Sequence, residues 1–166
     1  MRKIATQKTR NPRLRRLWSD YMSLNEMVSS TDLIKIAPAG DPPDRYRVLY
    51  RCRGLVAVAH NGDPELAVRH ICDIYLHRDY PQRPPSMIWR TPVFHPNIMP
   101  PARGGAVCIG GWSPGESLPA LVLRIGEMIQ YKNYDLDDVL NQEAVAWIAK
   151  NADRFPVDDR PLAPGY

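Results

Sequence analysis

The residues most able to do covalent chemistry lie in one stretch, "FHPNIMPPARGGAVCIGGWSP", at positions 94–114. Cys108 stands between the pairs Gly104-Gly105 and Gly110-Gly111, and glycine allows backbone or a partner's tail to approach closely. A cysteine thiolate is a strong nucleophile for acyl groups. Local composition alone leaves Cys108 open between two interpretations, a reactive nucleophile and an inert thiol.

The other cysteines and the histidines favour neither a disulfide framework nor a metal site. The chain has 3 cysteines and 4 histidines, with no C-x-x-C pair and no zinc-ligand spacing. Cys52 and Cys72 lie in strand-like sequence, where a free cysteine commonly acts as a small buried hydrophobe. An odd cysteine count indicates a reducing compartment, and residues 1–10 lack the apolar core of a secretory signal. We therefore expect a cytoplasmic protein, without a membrane span, metal or cofactor.

Apolar spacing predicts the helices that must hold this stretch in place. With 166 residues, 44% of them hydrophobic, the chain is long enough for one domain with one core, spanning 1–166. A first helix is expected from the cap Asn11 to about Val28, a second over Leu118–Tyr131, and a third after the cap Asn141. Residues 1–10 and 156–166 are expected to be extended tails.

Four strands are predicted between the first two helices, at Leu33–Ile36, Arg45–Arg51, Leu66–Leu76 and Met87–Trp89. The third rests on apolar alternation over 11 residues, and this alternation makes His70 a core histidine. Grouped strands with helices at both ends favour an α+β fold around a four-stranded antiparallel meander. The remaining segment, 91–117, is a long loop, and loops of that length are usually functional.

Positive charge is concentrated at the N-terminal end. The net charge is +4, but residues 1–16 contain seven basic residues and no acidic one, so the rest of the chain is mildly acidic. Such an end could contact nucleic acid, an anionic surface or an acidic protein patch, or it could be a solvated helix face. Arg13 and Arg16 share a helix face, with Arg10 one turn earlier. No aromatic residues or glycine-rich clamp accompany these arginines, which disfavours nucleic acid.

Several short motifs, in order and on the expected elements, resemble the ubiquitin-conjugating enzymes. They are DYPQRPP (79–85), FHPNI (94–98), the cysteine that follows, WSP (112–114) and DLDDVLNQEAVAWIAKN (135–151), so the resemblance covers roughly residues 11–151. It implies the fold of that family and the activity of an acyltransferase. Such an enzyme accepts the C-terminal glycyl group of a ubiquitin-like protein from an activating enzyme. It would hold the acyl group as a Cys108 thioester and pass it to a lysine amine or a ligase thiol.

The resemblance also implies roles for residues around the cysteine. Asn97 would donate its side-chain amide to the oxyanion of acyl transfer, where one such donor is worth about 10²–10³ in rate, or would hold the loop that shapes the site. His95 would be structural, Pro96 would fix the turn, and Trp112 would support the site.

Charged residues gain roles from the same resemblance. Asp138 would flank the site and desolvate or deprotonate the incoming lysine, with Asp137 as a competitor for the role and an ordinary loop residue as the alternative. Arg10, Arg13 and Arg16 would dock onto an acidic domain of the activating enzyme, an interaction that salt should weaken.

Departures from the family pattern indicate a divergent member. Cys108 follows Asn97 by 11 positions, more than is usual, and Trp112 follows Cys108 by 4, fewer than is usual. The insert Met99–Arg103 is expected to affect where Asn97 lies relative to the thiol. Gln82 stands where many ligases grip an aromatic residue, so we expect no standard ligase. A prokaryotic ubiquitin-like conjugation system, such as one used in defence, is a fitting setting.

Two other functions stay open on the sequence. A non-catalytic relative would bind ubiquitin-like proteins without forming a thioester, although such relatives commonly lack the cysteine that this chain retains. A cysteine hydrolase would pair Cys108 with His95, His70 or His60. The modifier, its targets and the need for a ligase cannot be read from the residues.

Overall fold

A computed structural model describes residues 10–166, and its main helices are α1 (Pro12–Ser29), α2 (Leu118–Ile129) and α3 (Gln142–Asn151). Each helix starts at a side chain that satisfies free backbone N–H groups. Asn11 Oδ1 accepts from the N–H groups of Arg13 and Leu14, and Ser117 and Asn141 play the same part for α2 and α3. The predicted helices are confirmed. Within residues 10–166, no helix combines the length and apolarity needed to cross a bilayer.

The strands form a four-stranded sheet and a separate two-stranded hairpin. The six strands found in the described part of the chain are β1 (Ile34–Gly40), β2 (Pro43–Tyr50), β3 (Gly54–Val58), β4 (Pro64–Ala67), β5 (His70–Tyr75) and β6 (Ser86–Trp89). The sheet has the order β1-β2-β5-β6 and is antiparallel throughout, which confirms the predicted α+β meander. The hairpin β3–β4 is inserted between β2 and β5.

The third predicted strand, Leu66–Leu76, is wrong as a single element. Its first residues belong to β4 and its last to β5, with a bend at Val68, so the two halves lie in different sheets. Leu66 is 46% exposed and Val68 61% exposed, and neither shares the buried face of the later residues. His70 is buried as expected, and its Nε2 lies 3.1 Å from the Cys52 carbonyl.

The helices α1 and α2 cover one face of the sheet and bury the main core. Leu24 and Met27 of α1 and Leu121 and Ile125 of α2 are almost fully buried there. The Tyr50 hydroxyl crosses from β2 to α2 and donates to the Val122 carbonyl at 2.8 Å. A second apolar cluster joins the inserted hairpin to α3 and consists of Leu55, Tyr131, Trp147 and Ile148.

The C-terminal segment, residues 155–166, has no helix or strand but packs closely. Leu162 and Ala163 are 4% and 7% exposed and belong to the main core. The Val157 N–H donates to the Gln130 carbonyl at 2.9 Å, and the Tyr166 hydroxyl reaches the Ser23 carbonyl of α1 at 3.1 Å. The predicted tail 156–166 is therefore irregular in conformation but part of the core. Of the other predicted tail, residues 1–9 lie outside the described residues.

Candidate active site

Asn97 and Cys108 face each other across a short antiparallel ladder. The Cys108 N–H donates to the Asn97 carbonyl at 2.9 Å, Ile98 pairs with Val107, and the Met99 N–H donates to the Ala106 carbonyl at 2.8 Å. The insert 99–103 therefore forms the distal end of a hairpin, capped by a 3₁₀ turn. It does not displace Asn97 from the cysteine.

The second arm of this hairpin is joined to the main sheet. The Trp89 N–H of β6 donates to the Gly105 carbonyl at 2.8 Å, and Ile88 pairs with Ala106. Gly105 has a φ of +67°, and a Cβ there would lie 2.6 Å from the Trp89 carbonyl oxygen. Only glycine fits this position, because a side chain would meet both backbone strain and a backbone clash. The cysteine is thus held by the sheet, two residues beyond the Ala106 pair.

Cys108 is half-buried and its sulfur faces a carboxylate. The thiol donates to Asp138 Oδ2 at 3.0 Å, at the edge of a cleft of about 110 Å³ that Ile109, Met128 and Tyr134 help to line. Partial burial raises the pKa of the Cys108 thiol, and the hydrogen bond to Asp138 raises it further. A backbone hydrogen bond from the Gly110 N–H acts against both and lowers the pKa. The site therefore holds a reachable thiol that is largely protonated at rest.

The side chain of Asn97 holds the loop that carries Asp138. Asn97 is 2% exposed, its Nδ2 donates to the carbonyls of Asp135 and Asp138 at 2.8 Å each, and its Oδ1 accepts the Asp135 N–H at 2.8 Å. The Pro96 carbonyl accepts from the N–H groups of residues 140 and 141 at 2.8 and 3.0 Å. Because an amide has two N–H donors, neither is free for an oxyanion in this structure. Of the two roles implied for Asn97, the geometry matches holding the loop.

His95 is buried beneath the site, away from the sulfur. It is 1% exposed, its Nδ1 accepts the Asn97 N–H at 3.0 Å, and its ring lies 4.8 Å from that of Tyr131. Burial lowers the pKa of His95 to about 3, so the ring is neutral at physiological pH. None of the chain's 4 histidines, all within residues 10–166, hydrogen-bonds to Cys108. None of these histidines is therefore placed as the base of a Cys–His hydrolase.

Trp112 joins the loop that follows the cysteine to the loop at residues 80–81. Its Nε1 donates to the Pro81 carbonyl at 2.8 Å, and its ring lies 5.9 Å from that of Tyr80. The side chain of Trp112 therefore connects the WSP segment to the YP segment.

Arg13 and Arg16, two of the residues predicted to dock an activating enzyme, make hydrogen bonds within the chain. Arg13 donates to three backbone carbonyls between residues 76 and 80, at 2.7–3.2 Å. Arg16 binds the Asp20 carboxylate at 2.8 Å, the Tyr80 hydroxyl at 2.8 Å and two backbone carbonyls at 114 and 116. Both guanidinium groups are consumed in tying α1 to the loops beside the site. On the described part of this helical end, Arg10 and Arg15 remain exposed.

Arg124 of α2 also belongs to the site, although the sequence analysis did not single it out. Its Nη1 donates to the carbonyls of Ile109 at 3.1 Å and Gly111 at 3.0 Å, and its Nη2 binds the Glu116 carboxylate. The sequence offered only a weak indication of its role. The α2 sequence LPALVLRIGEMI is apolar except for Arg124 and one glutamate. The contacts depend on a loop folding back onto α2, which no periodicity reveals.

The fold and this cysteine loop together define a domain of the ubiquitin-conjugating class. The family described as "Ubiquitin-conjugating enzyme" matches residues 69–158, a little over half of the chain, and the chain belongs to that family. The suspected resemblance is confirmed. The matched region includes the His-Pro-Asn turn, the cysteine and the acidic loop.

Individual relatives are distant. Ubiquitin-conjugating enzyme E2 16 of Schizosaccharomyces pombe is 37% identical over 78 residues, which cover 45% of this chain and 46% of that protein. Ubiquitin-conjugating enzyme E2 S of Branchiostoma floridae is 30% identical over 126 residues, 70% of this chain and 57% of that protein. The chain thus spans about half the length of the curated relatives it matches.

Solved structures show the same fold. The E2 domain of a Toxoplasma gondii ubiquitin-conjugating enzyme aligns with a TM-score of 0.55 and 24% identity, covering 86% of this chain and 91% of that one. A ubiquitin-conjugating enzyme from Trypanosoma cruzi, described as putative, gives 0.61 and 20%, with coverage of 86% and 94%. At such identities the likeness concerns the fold alone.

Proposed function

We propose that this protein carries a ubiquitin-like modifier as a thioester on Cys108 and transfers it to a lysine amine. The observation that carries the proposal is a half-buried thiol, 3.0 Å from the Asp138 carboxylate, in a loop of the ubiquitin-conjugating fold. A reachable sulfur next to a proton acceptor supplies both the acyl carrier and the group that receives the incoming amine.

The chemistry consists of two acyl transfers. In the first, the Cys108 sulfur attacks the carbonyl carbon of the modifier's C-terminal glycine on the activating enzyme. The new C–S bond replaces the bond to that enzyme, whose thiol leaves. In the second, a lysine nitrogen attacks the same carbon, a C–N bond forms, and the C–S electron pair returns to sulfur.

Asp138 is suited to the second transfer. The Asp138 carboxylate accepts a hydrogen bond from the free thiol. Once the sulfur is acylated, the carboxylate can accept a hydrogen bond from the lysine ammonium or amine. Asp135 and Asp137, also exposed in this loop, add negative charge near an arriving cation. Asp137 makes no hydrogen bond to the sulfur, so the geometry favours Asp138 over its competitor.

The surroundings of the thiol leave room for a narrow peptide tail. A Cβ built on Gly110 or Gly111 would meet no atom within 4 Å, so this side of the loop is open. A C-terminal tail ending in glycine fits such a passage because it needs little width. For docking of the activating enzyme, the exposed Arg10 and Arg15 replace the engaged Arg13 and Arg16 as the candidates.

The non-catalytic binding module is the second candidate. It would use the same fold and would not require the thiol, the adjacent carboxylate or the open glycines. The joint presence of all three favours the carrier. The cysteine hydrolase lacks support because His95 and His70 are both buried and bonded elsewhere.

The test is thioester formation on the full chain. The protein is incubated with ATP, a candidate activating enzyme and its glycine-terminated modifier, and the products are separated with and without a thiol reductant. We expect a reductant-sensitive adduct of one modifier, absent in Cys108→Ser or converted there to a reductant-resistant ester. Cys52→Ser is the matched control, since Cys52 is buried and should leave the adduct unchanged.

Two outcomes would contradict the proposal that Cys108 carries the modifier. If the modifier binds without any covalent adduct, or if Cys108→Ser retains a reductant-sensitive adduct, Cys108 is not the carrier. Binding without an adduct, with an activating enzyme shown to charge another carrier, would establish the binding module instead.

A further inference from the structure

We infer that a cavity lined by three arginines, at one end of the main sheet, binds an acidic segment of a partner protein. This arginine cavity has a volume of about 450 Å³ and is lined by Leu49, Arg51, Val68, Arg69 and Arg160. None of these residues lines the Cys108 cleft, so the two sites are separate.

Two of the arginines lie side by side with no negative charge to balance them. The β2–β5 ladder ends at the pair Tyr50 and His70, and Arg51 and Arg69 occupy the next position outward on each chain. Like charges at facing positions of neighbouring strands destabilise a sheet. Neither guanidinium makes a hydrogen bond or an ion pair with another residue of the described part of the chain. The fold therefore holds two adjacent cations that an arriving anion would neutralise.

The third arginine is held in place by a buried carboxylate. Arg160 donates from Nε and Nη2 to the Asp158 carboxylate at 3.0 and 2.7 Å, and Asp158 also accepts the Arg53 N–H at 2.8 Å. The Asp158 side chain is fully buried, whereas the Arg160 side chain is 50% exposed. A guanidinium has five N–H donors, so those on Nη1 remain for a ligand. Arg160 is thus oriented before anything binds.

Aliphatic side chains line the same cavity. Val68 is 61% exposed in the bend between β4 and β5, and Leu49 of β2 is partly buried. A protein ligand that covers Val68 removes this apolar surface from water, which favours binding. A small inorganic anion would leave it uncovered.

The chemistry of the ligand follows from this combination. A guanidinium pairs with a carboxylate through two parallel hydrogen bonds, so glutamates or aspartates match the arginines. A leucine-like side chain among them matches Val68 and Leu49. No aromatic side chain lines the cavity, which disfavours the stacked bases of a nucleic acid. The site therefore fits an acidic protein segment that contains an aliphatic residue.

The experiment titrates the full chain against a fluorescein-labelled peptide, Gly-Glu-Glu-Leu-Glu-Glu-Gly, and records fluorescence anisotropy. We expect saturable binding that weakens with added salt, and that weakens about tenfold in the double variant Arg51→Gln, Arg69→Gln. Replacing the leucine of the peptide by serine should weaken binding about fivefold. The double variant Arg83→Gln, Arg103→Gln removes the same charge from exposed arginines outside the cavity and should bind like wild type.

Stability without any peptide provides a second readout. The double variant Arg51→Gln, Arg69→Gln should unfold at a higher urea concentration than wild type, because repulsion between facing cations is removed. A purely structural role of the two arginines predicts a lower midpoint, and that result would contradict a binding role.

Several results of the titration would overturn the inference. They are no binding of the peptide to the wild-type chain at millimolar concentration, equal losses in the two double variants, and equal binding of the leucine and serine peptides. Binding of a single-stranded oligonucleotide that depends on Arg51 and Arg69, without peptide binding, would assign the cavity to nucleic acid instead. Self-association of the wild-type chain in sedimentation, lost in the Arg51 and Arg69 variant, would assign it to a second copy of the chain.

Discussion

At the scale of single residues, Asp138 has opposite effects on the two acyl transfers at Cys108. A carboxylate that accepts a hydrogen bond from the thiol stabilises the protonated sulfur and raises its pKa, which slows the first acyl transfer. The same carboxylate is placed to receive the lysine in the second transfer. The site therefore sacrifices some reactivity of the free thiol to serve the acylated one.

Replacing Asp138 should separate these two effects. In Asp138→Asn the Cys108 pKa should fall, because the hydrogen bond and the negative charge that favour the protonated thiol are lost. Alkylation by iodoacetamide at neutral pH should become faster, whereas transfer of the modifier from a preformed thioester to free lysine should slow by about 10²–10⁴-fold. Both rates are measured on the same preparation.

The neighbouring acid provides the control. Asp137→Asn makes the same chemical change one residue away and should leave the thiol pKa and the transfer rate close to wild type. Equal effects of the two substitutions would show that the loop acts by its overall charge, without a specific role for Asp138.

At the scale of elements, the His-Pro-Asn turn connects the cysteine hairpin to the loop before α3 through hydrogen bonds. The Asn97 side chain and the Pro96 carbonyl together make five hydrogen bonds to residues 135–141. The loop has no helix or strand of its own over most of this length. Its position over the thiol therefore depends on the turn beneath it.

Removing the Asn97 side chain should release that loop. Asn97→Ala eliminates three hydrogen bonds in a buried setting and leaves carbonyls unpaired, which should lower the free energy of unfolding by about 2–3 kcal/mol. Hydrogen exchange at the amides of 135–141 should accelerate more than exchange in the central sheet. Urea unfolding and exchange measurements report these two changes.

A different result would support the other role implied for Asn97, donation of its side-chain amide to the oxyanion. If Asn97→Ala keeps wild-type stability and loop protection but slows transfer by 10²-fold or more, the amide acts on the reacting atoms. That outcome would require the Asn97 amide to leave the loop during the reaction.

The three helices and the four-stranded meander were predictable from the sequence, and the inserted hairpin was not. Helix caps such as Asn11 and Asn141 are local signals, so the helix starts were found. Alternation over Leu66–Leu76 indicates which side chains share a face, but it does not indicate which strand pairs with which. The prediction therefore joined β4 and β5 into one strand. The strand Gly54–Val58 was missed because its apolar run lacks alternation.

The same limit applies to the site. The sequence placed Cys108, Asn97 and Asp138 near one another through family resemblance, and the structure brings all three together. It could not show that Arg13 and Arg16 bind carbonyls more than 60 positions away, since a basic residue looks alike whether its charge is free or engaged. Arg124 escaped notice for the same reason.

At the scale of the whole molecule, the C-terminal segment acts as a strap across α2 toward α1. Leu162 lies against Gly126 of α2, where a Cβ would come within 2.3 Å of the Leu162 side chain and 3.1 Å of Tyr50. Asp158 holds the Arg53 N–H at 2.8 Å and pairs with Arg160, and these contacts lower its pKa. The segment thus completes the core beneath the helix that carries Arg124.

Leu162→Ala should test the contribution of this segment to stability. Leaving a cavity against α2 should cost about 2–4 kcal/mol, seen as a lower midpoint in urea at unchanged slope. Leu136→Ala, at a residue that is 46% exposed, is the control and should change stability by less than about 0.5 kcal/mol. Equal midpoints for the two variants would show that the segment contributes nothing to the core.

The hairpin between Asn97 and Cys108 also bears on how such a protein can change over time. Its two ends are locked to each other and to β6, while its tip at residues 101–103 is exposed and touches none of the reacting groups. Residues can be gained or lost at that tip without altering the spacing of the thiol from its supports. Lineages are thus free to vary the length of this segment, and an experimenter can place a fluorescent reporter there to watch the carrier without disturbing it.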